Sequence, residues 1–362
     1  MDAAFEILKR NKEKLAKIDQ TKKTWASVSE INSYLGCQRK WALDVKYPTP
    51  KRGNLVLGSA FHHALETFYN YVPDTIGSVD EMEMEQKSFC VEEAKRYVDK
   101  ALEESPELAS EMLGQDELLS NMVETYIDYA NKNDDFTVIA TELLIIEEVA
   151  PGVLFKAFID GLAVDKEGQY WILEHKTAKV VSQEHLDKDL QISAYIAVAE
   201  KHLEIPIQGV IYNQAKKKIP SEPKFLKDGS VSMAACDTTV AKFANALNVA
   251  FTSKGIEIPD KYKSKVAELY ETEKEFMMRT FWFRTAAEKK NTIEFLAKII
   301  KEIKWMREQP ISSCYPNPSK DCGWKCDNKD LCLRLNRGEA LPEPIKIKIA
   351  LEGPEEEITG EE

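Results

Sequence analysis

Two carboxylates and an ammonium, Asp160, Glu174 and Lys176, stand at the ends of two otherwise apolar stretches, AFID (157–160) and YWILEHK (170–176). Buried strands rarely end in an acid and a base together. Between the stretches, Lys166-Glu167-Gly168 reads as a three-residue hairpin loop with its glycine in the left-handed position, which pairs Asp165 with Gln169. Counting back along the antiparallel ladder sets Asp160 opposite Glu174. Directly opposed residues have Cβ atoms about 4.5–5.5 Å apart, and like charges at that spacing destabilise a sheet. Phe158, Ile159, Ile172 and Leu173 surround the pair, so solvent screens the repulsion poorly. A divalent cation relieves it, and carboxylate oxygens are the ligands that Mg2+ or Mn2+ prefers. Strand alternation puts Lys176 on the face of Glu174 and turns His175 away. Two carboxylates on a metal, beside an ammonium, can orient and deprotonate a water and stabilise a pentavalent phosphate. The plainer alternative for Glu-x-Lys alone is a solvated surface pair.

Elements to position these groups follow from periodicity. Residues 136–149, 153–164 and 170–176 are β-rich and separated by short turns. A helix over about 182–202, a strand over 207–215, a helix over 238–252, a strand over 275–285 and an amphipathic helix over 286–308 follow. Upstream the pattern is helical: a charged peripheral helix in 1–20, then a helix from Ser27 to Leu43 on which Ser27 and Glu30 fit a capping box. After a loop over 47–54, helical periodicity resumes at Gly58 with Phe61, Leu65 and Phe68 on one face, and two more helices cover 80–104 and 115–132. The layout is an α/β core with helical additions.

Two further stretches carry chemistry. In DLQISAYIAVAE, Gln191 and Tyr195 lie one helical turn apart, and GSAFHHALE puts His62 on a helix. Taken singly, each has an ordinary structural reading. Together, the series Gly58…His62, Ala157-Phe158-Ile159-Asp160, Glu174-His175-Lys176-Thr177 and Gln191…Tyr195 resembles the RecB-like branch of the PD-(D/E)XK nuclease superfamily. That family shows G-x-x-x-H, then G-x-x-D, (D/E)-x-K-T and Q-x-x-x-Y; Ala157 stands where its first G-x-x-D glycine would be. The resemblance spans about residues 25–335 and implies a restriction-endonuclease-like core, a small mixed sheet flanked by helices. It implies further that His62, Asp160, Glu174 and the backbone carbonyl of His175 bind Mg2+ or Mn2+. Lys176 would position or activate the attacking water, with Gln191 and Tyr195 orienting Lys176 or the DNA backbone.

CGWKCDNKDLC places Cys322, Cys326 and Cys332 in C-x3-C-x5-C spacing, three thiolates that need a fourth ligand for a tetrahedral zinc or a cubane cluster. Spacing alone leaves Cys37 and Cys314 both open. The resemblance favours Cys37, in SYLGCQRKW. AddB-type subunits and CRISPR-adaptation nucleases carry one cysteine before the nuclease core and three after it, holding a 4Fe-4S cluster that staples the chain ends. Zinc is the second choice of occupant. By this reading the chain divides into a peripheral helix (1–24), a nuclease domain (25–335, with a helical part 25–135, a catalytic α/β part 136–235 and a cluster-bearing part 236–335) and an acidic disordered tail (336–362).

Lys216, Lys217, Lys218, Lys224 and Lys227 follow the strand 207–215, and Arg39, Lys40, Lys51 and Arg52 lie in the basic stretches before the histidine helix. They are candidates for a groove tracking phosphates, although lysine runs are commonly plain solvated surface. A net charge of −12 excludes indiscriminate coating of nucleic acid without excluding such a local channel. With 43% apolar and 30% charged residues the sequence is that of a folded protein, and it holds no run of eighteen apolar residues for a membrane span and no apolar signal-peptide core. A cytoplasmic protein of a bacterial or phage-infected cell is expected. No G-x-x-x-x-G-K-[S/T] loop is present, so any motor would be a separate partner, such as a helicase, recombinase or CRISPR protein. The expected activity is metal-dependent DNA exonuclease action in recombination or repair. An endonuclease or trimming subunit, a non-catalytic DNA-binding module and action on RNA are the alternatives.

Overall fold

Alternating β-branched and aromatic residues build the sheet, and helices with one apolar stripe cover it. The computed structural model describes residues 2–18, 25–48, 52–71, 79–273, 276–324 and 326–343. The chain runs α1 (Asp2–Leu15), β1 (Trp25–Ala26), α2 (Val28–Gly36), α3 (Gln38–Lys46), α4 (Gly53–Asn70), α5 (Val79–Glu104), α6 (Ala109–Met112) and α7 (Gln115–Asn133). It continues with β2 (Phe136–Ala150), β3 (Val153–Asp165), β4 (Tyr170–Ala178), α8 (Leu190–Leu203), β5 (Ile207–Lys216), α9 (Val240–Ala250), α10 (Lys261–Glu273), β6 (Met277–Trp282), α11 (Ala286–Arg307) and α12 (Lys329–Asn336). The chain divides into two compact units, Met1–Val28 with Lys51–Ile300, and Ser29–Pro50 with Lys301–Glu362.

In the first unit the strands form one mixed sheet in the order β1-β3-β4-β5-β6, with β2 along the other side of β3. β3 pairs antiparallel with β2 and β4, β4 runs parallel to β5, and β5 pairs antiparallel with β6. A parallel pair needs a crossover, and α8 supplies it. Buried side chains of α4, α5 and α7, among them Phe61, Leu65, Met122 and Tyr126, form a core that continues onto Ala215 of β5 and Met277 of β6. A smaller cluster around Phe243, Leu247, Tyr262 and Leu269 unites α9 and α10.

The second unit is assembled from chain segments far apart in sequence. Arg307 donates to both carboxylate oxygens of Glu30 at 2.8 Å, Trp41 Nε1 donates to Glu30 Oε1 at 3.1 Å, and the Tyr34 hydroxyl donates to Glu302 at 2.6 Å. The buried Arg39 donates to the Cys314 carbonyl at 3.1 Å and to Asn336 Oδ1 at 2.5 Å.

Several elements differ from expectation. The single helix over 27–43 is two, because the chain becomes extended at Cys37, whose sulfur caps α3 by accepting from Lys40 N at 3.5 Å. The helix expected from 182 starts at Leu190, where Asp189 caps it by accepting from Ile192 N at 2.9 Å. The segment expected as loop to 54 enters α4 at Gly53, and α10 was not foreseen. The tail beyond residue 343, the N-terminal stretch 19–24 and Lys51 lie outside the described residues.

Candidate active site

The hairpin has the register that its loop dictates. Gly168 adopts φ 80°, Asp165 N donates to Gln169 O at 3.0 Å, and the ladder pairs Val164 with Tyr170 through to Gly161 with Leu173. One step further sets Asp160 opposite Glu174. There the backbone ladder stops, because Asp160 Oδ2 accepts the His175 N–H at 2.6 Å in place of a carbonyl. On the far side of β3, Thr141 pairs with Gly161 and Leu143 with Ile159, so Glu142 stands opposite Asp160. Glu142, Asp160 and Glu174 therefore form a row of three carboxylates across three adjacent strands, extended by Tyr212 of β5 opposite Glu174.

The flanking helices complete the site. From α4, His62 Nδ1 reaches Asp160 Oδ1 at 3.4 Å. Gly58 lies one turn earlier, where an added Cβ would meet Thr177 Oγ1 at 3.6 Å, so α4 passes close against the end of β4. From α8, Gln191 Nε2 donates to Glu174 Oε1 at 2.7 Å, and the Lys176 ammonium pairs with the same oxygen. Gln191 thus holds Glu174 rather than Lys176, while Tyr195 lies within its hydrogen-bonding reach and within the field of Glu174 and Lys176. Glu174 is only 2% exposed, and its other oxygen, Oε2, is buried without a hydrogen-bond partner.

His175 points to the opposite face into a buried polar network. Its Nδ1 lies 3.4 Å from Asn213 Nδ2, Asn213 Oδ1 accepts from Arg279 at 2.7 Å, and Arg279 donates to Asp134 at 2.6 Å. Asp134 accepts from the Tyr69 hydroxyl at 2.9 Å, which lies 2.7 Å from that of Tyr126. The Tyr69 ring stacks on the His175 imidazole, and Tyr126 meets it edge-on. The backbone that carries Glu174 and Lys176 is thereby fixed from behind.

Burial and crowding set the charges. Burial alone would raise Asp160, but the charge and hydrogen bond of His62, with Lys176, hold its carboxyl well below the usual range. Burial and the neighbouring Asp160 push Glu174 up. Lys176 keeps its proton, since Glu174 and Asp160 outweigh the burial that would lower it. His175 is pushed down to about 3 by burial and is neutral. Glu142 is pushed up to about 7, by burial and then by Asp160.

The donor set fits a hard divalent cation. Such ions take carboxylate oxygens, with an occasional imidazole, and Glu174 Oε2 is a buried acceptor without a donor. Ligand atoms of His62, Glu142 and Asp160 lie within 4.8 Å of one another. Glu142 is the residue that sequence reading missed. Counting back from the Pro151-Gly152 turn, where Ala150 pairs with Val153, would set Leu143 opposite Asp160; the register shift between Glu148 and Ala150 puts Glu142 there instead, and a glutamate in ATELLI reads as a solvent-facing strand residue.

The cysteines fall in the second unit. Cys37 Sγ accepts from Asn317 N at 3.4 Å, and Cys322 Sγ accepts from Ser319 N at 3.4 Å. Cys314 lies within the electrostatic reach of Cys37, and Cys326 within that of Cys322 and Lys40. Among the described residues no cysteine joins a group of three ligand atoms within 4.8 Å, which a preformed zinc site would require. Thiolates of a cubane each hold a different iron and stand farther apart.

Of the basic candidates, Arg39 is withdrawn from any phosphate role because its guanidinium is buried against Cys314 and Asn336, and Lys40 pairs with Asp44 at 2.5 Å. Lys218 pairs with Asp237, and Lys216 lies over the Phe276 ring. Lys217 continues β5 beside the end of β4, where its N–H bonds the Ala178 carbonyl, and Lys224 and Lys227 are exposed. Among the described residues, no helix is long and apolar enough to cross a membrane.

No curated protein matches the chain. The model of the PD-(D/E)XK nuclease superfamily matches residues 26–333, a span containing the carboxylate row, the lysine and both flanking helices. By that match the chain belongs to the PD-(D/E)XK nuclease superfamily and is a metal-dependent nuclease.

Proposed function

We propose that the protein is a DNA exonuclease of the RecB-like branch, stapled by a 4Fe-4S cluster and serving recombination or repair. The observation that carries the catalytic part is the convergence of His62, Asp160, Glu174, Lys176 and Gln191, from two strands and two helices, around a buried carboxylate oxygen without a donor. Asp160, Glu174, His62 and the His175 carbonyl would hold Mg2+ or Mn2+, which supplies Lewis acidity and an acidified water. Gln191 fixes the Glu174 carboxylate by its hydrogen bond. Lys176, charged and 38% exposed, can donate to an attacking water or to a non-bridging phosphate oxygen. In that state it stabilises charge rather than removing a proton. Tyr195, whose hydroxyl stays protonated because burial raises it, is an additional donor for the phosphate backbone.

Support for the cluster comes from the second unit, where the Cys37 segment is bonded to the segment around Cys314 and Asn317. Cys37, Cys322, Cys326 and Cys332 remain the proposed ligands. Partners would be DNA ends and a separate motor, recombinase or CRISPR protein.

The test is degradation of end-labelled linear DNA with Mg2+ or Mn2+, by anaerobically purified protein, against circular and end-blocked DNA. Cleavage of free ends only, lost in Lys176→Ala, is the expected result. Cutting of the circle would make it an endonuclease, and no cleavage of any DNA by the wild type would end the catalytic reading. Visible absorbance that bleaches on reduction and disappears in Cys326→Ser is expected of the cluster; colourless protein containing zinc would overturn it.

A further inference from the structure

Between β5 and α9 the chain builds a second hairpin, over 224–232, which takes no part in the carboxylate row. Phe225 pairs antiparallel with Val231, Leu226 N donates to Ser230 O at 2.7 Å, and Ser232 N donates to Lys224 O at 2.8 Å. Lys227-Asp228-Gly229 is its loop, with Gly229 at φ 81° and Asp228 Oδ1 accepting from Ser230 N at 2.9 Å and from the Ser230 hydroxyl at 2.7 Å. The returning arm is anchored: Val231 is buried with Phe243 and Leu247, and its carbonyl accepts from the buried Tyr262 hydroxyl at 2.8 Å. The base is clamped, where Ser221 N donates to Asp237 O at 2.7 Å and Lys242 Nζ donates to Pro220 O at 3.2 Å.

This fixed hairpin holds apolar groups out in water. Phe225 is 52% exposed and Leu226 50%, between the exposed Lys224 and Lys227. Strand alternation turns the two to opposite faces, so the tip is apolar on both sides, which is a contact surface rather than singly scattered exposure. Charge selects what it contacts. The acids nearby are engaged within the protein: Glu222 pairs with Lys242, Asp237 pairs with Lys218, and Asp228 accepts from Ser230 and lies in the field of Lys261. An aromatic ring between two lysines, in a chain of net charge −12, suits a nucleotide, with its base on the ring and its phosphates on the ammonium groups. Bases inside a duplex have both faces stacked, so the fitting partner is a single strand.

The hairpin also leaves the sheet at the catalytic end. β4 and β5 run parallel, pairing Lys176 with Gln214 and Ala178 with Lys216. Lys224 follows Lys217 by seven positions, a reach of at most about 25 Å. We propose that the 224–232 hairpin is a stacking pin for single-stranded DNA: Phe225 receives an unpaired base, and Lys224 and Lys227 take the phosphates beside it, on the strand that leads to Lys176. This rests on the nuclease reading and names its substrate as DNA with a single-stranded end.

The experiment measures binding of fluorescent oligothymidine and of a blunt duplex to the full-length protein by anisotropy, without divalent metal so that nothing is cut. Phe225→Ala should bind the single strand about 5–150-fold more weakly, the loss of one stacked base, with duplex binding and circular dichroism unchanged. Phe225→Trp should restore the affinity. Single-strand affinity within twofold of wild type in folded Phe225→Ala overturns the proposal and leaves the tip to a protein partner. An equal loss for single strand and duplex overturns it too. Should Phe225→Ala fail to fold, photocrosslinking of wild type to an oligonucleotide carrying 5-iodouracil decides: a crosslink mapped to Phe225 is expected, and crosslinks only elsewhere overturn the pin. Incubating wild type and the same single strand with Mn2+ separates the two readings. Pin-dependent binding without cleavage of any DNA removes the nuclease and keeps the pin, whereas cleavage with binding indifferent to Phe225 does the reverse.

Discussion

Replacing Arg279 with methionine should destabilise the protein by about 3–5 kcal/mol, because it removes one half of a buried ion pair. The Arg279 side chain is 5% exposed and that of its partner Asp134 15%. The guanidinium donates to Asn213 Oδ1 at 2.7 Å and to Asp134 Oδ1 at 2.6 Å, and lies 5.2 and 5.1 Å from the ring centroids of Tyr129 and Phe136. Methionine keeps most of the packing on those rings, so the loss is chiefly electrostatic. It leaves Asp134 with only the Tyr69 hydroxyl and Asn213 Oδ1 with no cation. Burial already raises the Asp134 carboxyl against the opposing pull of Arg279, and without Arg279 it rises further. A carboxyl whose folded pKa lies above its unfolded value binds more protons when folded, so the variant's deficit shrinks as pH falls and grows as pH rises through the folded pKa. Urea unfolding followed by circular dichroism, from pH 5 to pH 8, measures both effects. The double variant Arg279→Met with Asp134→Asn should recover much of the loss, since the amide oxygen still accepts from Tyr69. A single-variant loss below about 1 kcal/mol, the level of an exposed pair, would refute the reasoning. So would a deficit that grows as the solution is acidified.

Gln191→Ala removes the hydrogen bond that orients Glu174; cleavage should fall about 10–100-fold while the fold is retained, as for loss of groups that orient metal ligands, and a single-turnover assay beside a melting curve checks this. Metal binding at pH 7 should release protons, because burial and then Asp160 push Glu142 up to about 7, and push Glu174 up as well, when no cation neutralises Asp160. Mn2+ affinity should accordingly increase with pH through that region and level off above it, as read by calorimetry in buffers of different ionisation enthalpy. Gly209→Ala should cost about 1–3 kcal/mol by overpacking, since a Cβ there would lie 2.5 Å from the Trp282 carbonyl oxygen of the neighbouring strand and 3.2 Å from the Trp171 ring; chemical denaturation measures it.

The hairpin of β3 and β4 was legible because a three-residue loop with a left-handed glycine fixes register, and register alone brings Asp160 to Glu174. The alternating runs of β2 to β5 and the long amphipathic helices were legible for the same local reason. Helix limits that depend on a single capping side chain were less so, as Cys37 and Asp189 show. Glu142 is hidden because the register set by the Pro151-Gly152 turn shifts by one residue between Glu148 and Ala150, and no residue pattern marks that bulge. Gln191 was found, but its partner was not: a side chain on α8 can face either end of the Glu174–Lys176 pair, and only the packed helix chooses. The burial of Arg39 was hidden too, since its acceptors Cys314 and Asn336 lie some three hundred residues away.

That separation has a consequence for synthesis. Glu30, Tyr34 and Arg39 leave the ribosome before β2 to β6, whereas Glu302, Arg307 and Asn336 leave it after them. At about 5–20 residues per second, the intervening stretch takes on the order of 15–60 seconds to translate. The sheet unit, Met1–Val28 with Lys51–Ile300, has its strands complete before the second unit has its closing half. During that interval Cys37 waits without Asn317, exposed to whatever oxidises thiols or delivers metal. A group held jointly by Cys37 and Cys322, Cys326 and Cys332 would load only after the last of these is made, and a chain cut short after Ile300 would carry Cys37 without them.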